Sequence, residues 1–292
     1  MNGSGAAIEG TEAQRSEVFA PGLLEGRVAL VTGGGTGLGK ASALELARCG
    51  AAVTIAGRRG EVLEQAAAEM AERLGEGAVD WVVGDVRERV DARRLVETVL
   101  KRRGRLDVLV NNAGGQFFSP AELIAAKGWR AVWRLNVEGM LNMSEAAFEL
   151  ALERAGAGTI VNVTLSPHHG MPGMAHSGSA RATVEALTRE LAQRWESAGV
   201  TVSAVAAGHF DTEVLSKYPA SVRAGASRTV PLQRLGTVAE HAWLVALLAS
   251  PLGRAFGGST ITLDGARDNW CGPWPPPGLA DESGEVPTEE RR

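Results

Sequence analysis

The residues with the clearest chemical potential form a glycine-rich run at 32–40, Thr-Gly-Gly-Gly-Thr-Gly-Leu-Gly-Lys. A mainly apolar segment at 27–31 precedes it, and a helical pattern at 41–47 follows it. A strand that passes through a glycine loop into a helix brings backbone N–H groups and the positive end of the helix dipole together. The run therefore predicts a phosphate or pyrophosphate site. Its glycines at 33, 37 and 39 depart from the strict G-x-G-x-x-G spacing.

Two arginines, Arg58 and Arg59, follow the next apolar segment, and no acidic residue occurs at 56–59. A dinucleotide site that prefers NAD places an acid here for the ribose 2′-hydroxyl, whereas arginines accommodate a 2′-phosphate. This position therefore favours NADP as the cofactor. The alternative interpretation is a pair of solvated arginines at the start of a helix.

Further along the chain, two other strand ends carry residues suited to a dinucleotide. Asp85 and Val86 follow the third apolar segment and could hold the adenine ring. The run Asn111-Asn112-Ala113-Gly114 follows the fourth, and small residues there let a cofactor lie against the backbone.

The elements that must position these residues alternate along the chain. Near-continuous apolar strands that alternate with helices predict a parallel sheet covered on both faces. The fold class is thus α/β, a single doubly wound Rossmann-type domain with a seven-stranded parallel sheet. The predicted strands are 28–31, 52–56, 79–83, 106–111, 159–164, 200–206 and 260–263. The predicted helices include 61–74, 88–103, 127–153, 179–197 and 238–249.

The two ends of the chain differ in composition from this domain, which we place at residues 23–270. Residues 1–22 are polar and glycine-rich, and predict a flexible extension. Residues 271–292 begin with a proline-rich run and predict a partly disordered tail. The segment 208–235 has mixed polarity and no period, and is a candidate lid beyond a strand end.

Composition restricts the possible partners. The chain has 292 residues, 45% of them hydrophobic, and a net charge of −4. No basic stripe indicates nucleic acid, and no apolar run is long enough to cross a membrane. The two cysteines, Cys49 and Cys271, fit a reduced, cytoplasmic protein. We expect no metal site, because the spacing of the candidate ligands matches no standard motif; these are His168, His169, His176 and His209.

Taken together, these motifs resemble the short-chain dehydrogenase/reductase family from about residue 27 to about residue 265. The resemblance rests on Thr32, the glycines after it, Asp85, the run at 111–114 and Asn136. A narrower likeness, over 111–129 and 175–181, is to the peroxisomal trans-2-enoyl-CoA reductase and 2,4-dienoyl-CoA reductase branch. That branch implies NADPH-dependent reduction of a C=C bond conjugated to a thioester.

The chain departs from the family at the proton donor. Most members reduce a carbonyl with a tyrosine and with a lysine four residues later. Here Ser177 and Arg181 stand at those positions, and Ser166 lies beside the usual serine position, which is Leu165. The single tyrosine, Tyr218, lies in the candidate lid. An arginine cannot exchange a proton near pH 7, so the usual Tyr–Lys acid is absent.

This departure leaves two interpretations of the catalytic segment. Reduction of an activated C=C bond requires stabilisation of an enolate, for which Ser177, Arg181, His176 and Ser166 are candidates. His168, His169 or His176 would then supply the α-carbon proton through water. In the simpler interpretation Arg181 only binds the nicotinamide ribose and the histidines are loop residues. Asn136, which in the family bends its helix and holds a relay water, is then structural.

The resemblance also implies the cofactor site, the substrate and the assembly. Gly208, Phe210 and Thr212 border the nicotinamide, and Thr212 binds its carboxamide. We expect a small-molecule substrate and a homodimer or homotetramer formed through the helices at 127–153 and 179–197. Two functions stay open besides C=C reduction: a ketoreductase with a substitute acid, and an NADP-binding protein without redox turnover. The complete predicted cofactor site comprises Thr32, Gly33, Gly35, Thr36, Gly37, Leu38, Gly39, Arg58, Arg59, Asp85, Val86, Asn112, Ala113, Gly114, Arg181, Gly208, Phe210 and Thr212.

Overall fold

Among the described residues seven parallel strands form one sheet, as the sequence predicts. The structure, a computed structural model, describes residues 14–166, 173–213, 215 and 230–268. The strand order is β3-β2-β1-β4-β5-β6-β7. The strands are β1 Val28–Thr32, β2 Ala52–Gly57, β3 Val79–Val83, β4 Val108–Asn111, β5 Gly158–Leu165, β6 Val200–Ala207 and β7 Thr260–Leu263.

The strand order reverses between β1 and β4. These two strands are neighbours, with Leu30 opposite Leu109 and Val31 opposite Val110, although two strands and three helices separate them along the chain. The connections leave β1 and β4 in opposite directions, which opens a crevice at their carboxyl ends. The glycine run after β1 and the Asn-Asn-Ala-Gly run after β4 therefore meet at one place.

Helices cover both faces of the sheet. One face packs against α1 Gly37–Arg48, α2 Gly60–Leu74 and α8 Val238–Ala249, and the core there includes Val31, Leu46 and Val245. The other face packs against α3 Arg89–Arg103, a long helix at 126–155 and α7 Ala175–Trp195, and the core there includes Leu30 and Val184. Successive residues of β1 thus point to opposite cores, which explains why the strand is apolar without alternation.

The long helix is less regular than its sequence pattern indicates. Its parts are α4 Ala126–Trp133, a π segment Arg134–Glu138, α5 Gly139–Ala147, a second π segment Phe148–Leu152 and α6 Glu153–Ala155. The predicted helix at 127–153 is therefore right in extent. The pattern did not reveal its π segments, which often mark functional sites.

Two elements begin more than one residue away from their predicted starts. The helix predicted at 179–197 begins at Ala175, so His176 and Ser177 lie in its first turn rather than in a loop. The strand predicted from residue 106 begins at Val108. Asp107 instead accepts a hydrogen bond from the Val28 backbone N–H at 2.9 Å and pairs with Arg27 and Arg105, so it ties the start of β4 to β1.

The described part of the N-terminal segment lies against α1. The hydroxyl of Ser16 donates to the buried carboxylate of Glu45 and accepts from the backbone N–H of Phe19 at 3.0 Å. Phe19 and Leu23 pack against the core on that side. Residues 1–13 and the predicted tail at 271–292 lie outside the described residues, so the expectations of flexibility and disorder there stay predictions.

His241 links α1 to α8 inside the core. Its ring is fully buried, its Nδ1 lies 3.3 Å from the Ser42 hydroxyl, and its Nε2 has no hydrogen-bond partner among the described residues. Burial lowers the pKa of His241 from 6.5 to about 4. The native protein therefore holds this imidazole neutral in a pH range where the unfolded chain protonates it.

This difference predicts an acid-dependent loss of stability that His241→Leu reduces. Below pH 6.5 the unfolded state binds the extra proton, so the free energy of unfolding decreases as the pH is lowered to about 4. One such group decreases it by about 1.4 kcal/mol per pH unit. Urea denaturation of both proteins at steps from pH 7.5 to 4 measures the slopes, and their difference isolates His241. Equal slopes for the two proteins would show that His241 does not titrate differently on unfolding.

Candidate functional site

The glycine loop is held in place by the backbone that follows β4. The Thr32 hydroxyl accepts hydrogen bonds from the N–H groups of Asn112 and Ala113, each at 3.1 Å, and donates to the Val110 carbonyl at 3.2 Å. Thr32 is 1% exposed. One buried hydroxyl therefore joins the ends of the two strands that border the crevice.

The side chain of Asn112 completes this junction. Its amide donates to the carbonyls of Thr32 at 3.0 Å and Gly33 at 3.2 Å. A Cβ on Gly39 would lie 2.3 Å from the Asn112 Nδ2 and 2.4 Å from the Gly33 carbonyl oxygen. Only glycine fits at residue 39, because α1 begins directly against this loop.

The first turn of α1 is well suited to an anion. The helix begins at Gly37, carries no acidic residue in its first turn, and its first N–H groups are those that a helix leaves without intrahelical partners. The predicted residues Thr32, Gly33, Gly39 and Asn112 thus come together around one helix start. Gly35 lies in the turn before the helix, Thr36 is the N-cap residue and Leu38 lies in the first helical turn.

Arg58 and Asp85 follow neighbouring strands and lie close together. The Gly84 N–H donates to the Gly57 carbonyl at 2.9 Å, so the ends of β2 and β3 stay paired up to these residues. Arg87 forks onto the Asp85 carboxylate, with Nε at 2.9 and 3.0 Å from its two oxygens. The hydrogen bonds from Arg87 lower the pKa of Asp85, and the charge of Arg58 adds a smaller effect.

Arg87 was not predicted from the sequence, yet its side chain forms an ion pair with the Asp85 carboxylate in this structure. The available signal was an arginine two residues after an acid at a strand end. Val86, between them, is buried against Gly139, where an added Cβ would lie 2.7 Å from the Val86 Cγ2. Its carbonyl accepts from Asn142 at 3.0 Å, so Val86 anchors the strand end to α5.

Ser177 and Arg181 stand one turn apart at the start of α7, on the side that faces β5. Ser177 is fully buried, and its hydroxyl donates to the Gln116 side-chain oxygen at 2.8 Å. Arg181 is 7% exposed, and its Nη1 donates to the Val163 carbonyl at 2.9 Å. Ser177 and Arg181, which we predict to stand at the family's tyrosine and lysine positions, are therefore inside the protein and hydrogen-bonded.

Asn136 holds the loop between β4 and this corner. It lies in the first π segment, is 2% exposed, donates to the Gly115 carbonyl at 2.9 Å and accepts from the Gly115 N–H at 3.2 Å. A Cβ on Gly114 would lie 2.8 Å from the Asn136 Oδ1 and 2.5 Å from the Arg181 Nη2. Gly114, Asn136 and Arg181 thus form one close-packed group beside the glycine loop.

Gln116 is the second residue that the sequence reasoning missed. It belongs to the run that carried the narrower resemblance, yet a glutamine in a loop gives no chemical signal by its type. Its role emerges from its contact with Ser177 across the crevice. The Ser177 hydroxyl donates to the Gln116 side-chain oxygen and thereby restrains the Gln116 amide.

The remaining catalytic candidates differ in their placement. His176 is 1% exposed and its pKa is lowered, mainly by burial, with a smaller opposing effect from the backbone of Met174. Ser166 is 7% exposed, and its N–H donates to the Ala207 carbonyl at 3.2 Å, which extends the pairing of β5 with β6. His168, His169 and Tyr218 lie outside the described residues.

The loop after β6 reaches the glycine loop from the opposite side. The Gly208 N–H donates to the Leu263 carbonyl at 2.9 Å, and Phe210 pairs with Gly236. Thr212 approaches within 3.9 Å of the position that a Cβ on Gly37 would take. Thr212 therefore stands beside the start of α1. Of the candidate lid, residue 214 and residues 216–229 lie outside the described residues.

The pKa of His209, in this loop, is also lowered. Burial lowers the pKa of His209 from 6.5 to about 4, the positive charge of Arg267 adds to this, and Asp264 opposes it. His209 is thus neutral at physiological pH. Among the described residues no group of three His, Cys, Asp or Glu side chains could hold a metal ion.

The comparisons with known proteins agree with this architecture. Residues 33–266 match a family model described as enoyl-(acyl carrier protein) reductase. The chain belongs to the short-chain dehydrogenase/reductase family, whose members are oxidoreductases that use a nicotinamide dinucleotide. No helix in the described part of the chain is both long and apolar enough to cross a membrane.

Individual relatives narrow the likeness. A Bacillus subtilis (strain 168) protein named probable 2,4-dienoyl-CoA reductase is 37% identical over 257 residues, which cover 86% of this chain and all (100%) of the relative. A peroxisomal 2,4-dienoyl-CoA reductase of Danio rerio is 35% identical over 254 residues, covering 86% of this chain and 84% of the relative. These names confirm the predicted resemblance to the dienoyl-CoA reductase branch.

A solved structure supports the fold. The citronellol catabolism dehydrogenase of Pseudomonas aeruginosa PAO1 is 40% identical, with a TM-score of 0.77 over 86% of this chain and 98% of that chain.

The close packing at Gly114 predicts that Gly114→Ala is destabilising. The added methyl must displace the Arg181 guanidinium or the Asn136 amide, and overpacking of this kind costs about 1–3 kcal/mol. Urea denaturation measures the cost. Gly257→Ala is the control, because a Cβ there meets only ordinary contacts, the nearest at 3.5 Å. A Gly114→Ala protein as stable as the control would contradict the tight corner.

Proposed function

We propose that the chain is an NADPH-dependent reductase of an activated C=C bond, with an enoyl thioester or an enone as substrate. The observation that carries this proposal is the hydrogen bond, at 2.8 Å, between the buried Ser177 and the partly exposed Gln116, beside the buried Arg181. This group offers hydrogen-bond donors and a fixed positive charge, but no phenol. It is therefore suited to stabilising negative charge on an oxygen rather than to protonating that oxygen.

The cofactor fits the described residues. The first turn of α1, with Gly33, Gly37 and Gly39, would hold the pyrophosphate, because a Cβ on Gly39 would close the space against Asn112. Arg58 and Arg59 would bind the 2′-phosphate of NADP, and Asp85 would lie at the adenine. Ala113 and Gly114 would lie along the nicotinamide half, with Thr212 at the carboxamide. The bound NADPH supplies the hydride.

The chain's own side chains would then bind and polarise the substrate. Hydride addition at the β-carbon moves negative charge to the carbonyl oxygen, and donors aimed at that oxygen lower the barrier. The Gln116 amide, oriented by Ser177, is the donor that we propose for this oxygen. Arg181 would add positive charge and bind the nicotinamide ribose. A single donor of this kind lowers the barrier by about 2.7–4 kcal/mol.

The α-carbon must also receive a proton. A buried imidazole with a lowered pKa is a poor proton source, and this weighs against His176. We therefore assign the delivery of this proton, through water, to His168 or His169. Asn136, whose amide is hydrogen-bonded to Gly115, would keep the loop in position rather than hold a relay water.

The names of the relatives support a C=C substrate, and one of them supports an alternative. The 3-oxoacyl-[acyl-carrier-protein] reductase of Thermotoga maritima is 34% identical over 243 residues. A ketoreductase with a substitute acid is therefore the second candidate function. It would yield a product with a new hydroxyl group, whereas the first candidate yields a saturated bond.

The assembly and the location follow from the same likeness. We propose a homodimer or homotetramer formed through the long helix and α7, because exposed positions on α7 such as Ala182 and Ala186 are small and permit close packing. We propose a cytoplasmic location, for which the reduced, buried Cys49 and the bacterial relative are the support.

The proposed substrate class predicts NADPH-dependent turnover of enoyl thioesters or enones. Absorbance at the nicotinamide band measures oxidation over a panel of chain lengths, and NMR of the isolated product shows whether it gains a saturated bond or a hydroxyl group. Tight NADPH binding without turnover of any panel member would instead support a non-redox protein and overturn the proposal.

The proposed donor role predicts that Gln116→Leu lowers kcat about 100-fold and leaves the Kd of NADPH unchanged. The substitution removes the amide but keeps a side chain of similar size. Gln193→Leu, at an exposed position near the other end of α7, is the matched control and should match the parent protein. An unchanged kcat for Gln116→Leu would exclude Gln116 as the donor.

The arginines predict the cofactor preference. Arg58→Met with Arg59→Met should weaken NADPH binding about 10- to 100-fold, because charge-assisted hydrogen bonds to the 2′-phosphate are lost, while NADH binding stays the same. Fluorescence titration with both cofactors measures this. Arg154→Met, at an exposed position on α6, serves as the control. Equal losses for NADPH and NADH would show that these arginines do not read the 2′-phosphate.

A further inference from the structure

The loop after β4 and the segment that enters α7 run side by side through three successive contacts. The Ser119 N–H donates to the Gly173 carbonyl at 2.8 Å. The rings of Phe117 and His176 meet edge to face, with centroids 4.3 Å apart and planes at 64°. The Ser177 hydroxyl donates to Gln116 at 2.8 Å. The His176 contact is the middle one and adjoins the proposed donor pair.

His176 takes part in this arrangement as an aromatic ring. Neither of its nitrogens makes a well-formed hydrogen bond to a described residue, and the Met174 backbone has a smaller effect on the pKa of the ring than burial has. Its ring also lies edge to face with Trp129 of α4, with centroids 6.0 Å apart. Aromatic pairs favour this edge-to-face geometry. The ring therefore joins the first turn of α7 both to the loop at 117 and to α4.

Phe117 is held from two sides by this packing. A Cβ on Gly128 of α4 would lie 2.8 Å from the Phe117 Cζ, so the ring rests directly on the helix backbone. His176 supports the same ring from α7. The ring remains 41% exposed on its outer side. Since Phe117 follows Gln116 directly, whatever fixes the Phe117 ring restricts the backbone from which the Gln116 amide extends.

We propose that His176 is a positioning residue that acts through Phe117 to hold Gln116 at the Ser177 hydroxyl, and that it donates no proton in the reaction. The proposal deepens the proposed function, on which its catalytic consequence rests. A ring of the right size and shape at residue 176 is then sufficient, and the nitrogens are dispensable. In this respect His176 differs from His168 and His169, to which we assign the delivery of the proton through water.

A pair of substitutions tests this directly. His176→Ala removes the ring and should lower kcat about tenfold or more, because small misplacements of a catalytic group are costly, with little change in the Kd of NADPH. His176→Phe restores a ring without nitrogens and should recover kcat to within about threefold of the parent protein. The shape of the pH–rate profile should be the same in the parent and His176→Phe proteins. Equal kcat losses in both variants, or a lost limb in the His176→Phe profile, would establish a proton-transfer role and overturn the proposal. An unchanged kcat for His176→Ala would overturn it as well.

A second measurement keeps the contact testable without turnover. Phe117→Leu and His176→Ala, made singly and together, should shift the urea midpoint non-additively, because the rings touch. Phe117→Leu combined with Trp195→Leu, at the other end of α7, is the control and should be additive. If the panel gives no turnover but the cycle is coupled, the proposed function fails while the Phe117–His176 contact stands. Additive shifts for Phe117 and His176 would remove the basis of the positioning role.

Discussion

The rest of the site depends on the Thr32 hydroxyl, which accepts hydrogen bonds from two backbone N–H groups. It joins the ends of β1 and β4 at the point where the strand order reverses. A parallel sheet opens a crevice at such a reversal, and a crevice binds a ligand only if its walls are fixed. The Asn112 amide secures the same junction from the other strand. The predicted phosphate site begins on one side of this junction, and the Gly114–Gln116 loop begins on the other.

Around this junction, glycine backbone packs directly against neighbouring side chains. Gly39 meets Asn112, and Gly114 meets both Arg181 and Asn136, at distances that no Cβ allows. The π segment at Arg134–Glu138 places Asn136 so that it makes hydrogen bonds to both backbone groups of Gly115. Glycine at these positions lets a buried cation, an amide and a backbone loop occupy a small volume. The hydrogen-bonding groups of the corner are thereby oriented before a ligand arrives.

Much of the fold was predictable, because the central strands are largely apolar on both sides and the helices between them have a helical period. The seven strands and their parallel arrangement follow from that pattern, and the glycine loop follows from its flanks. The start of α7 was not predictable from periodicity: Ala175, His176 and Ser177 interrupt the pattern, yet tertiary packing draws them into the helix. The π segments could not be predicted either, because the apolar residues of the long helix do not reveal where its turns widen.

The sequence by itself determined the class of fold and the glycine turn between β1 and α1, because these depend on residue type and local spacing. Only the tertiary structure decided which side chains meet between the loop after β4 and the start of α7. Gln116 and Ser177 are 61 residues apart in the chain, and Phe117 and His176 are joined only because β4 and β5 are neighbours in the sheet. Contacts between side chains so distant in sequence depend on how strands pair and helices pack. No local pattern of residues carries that information.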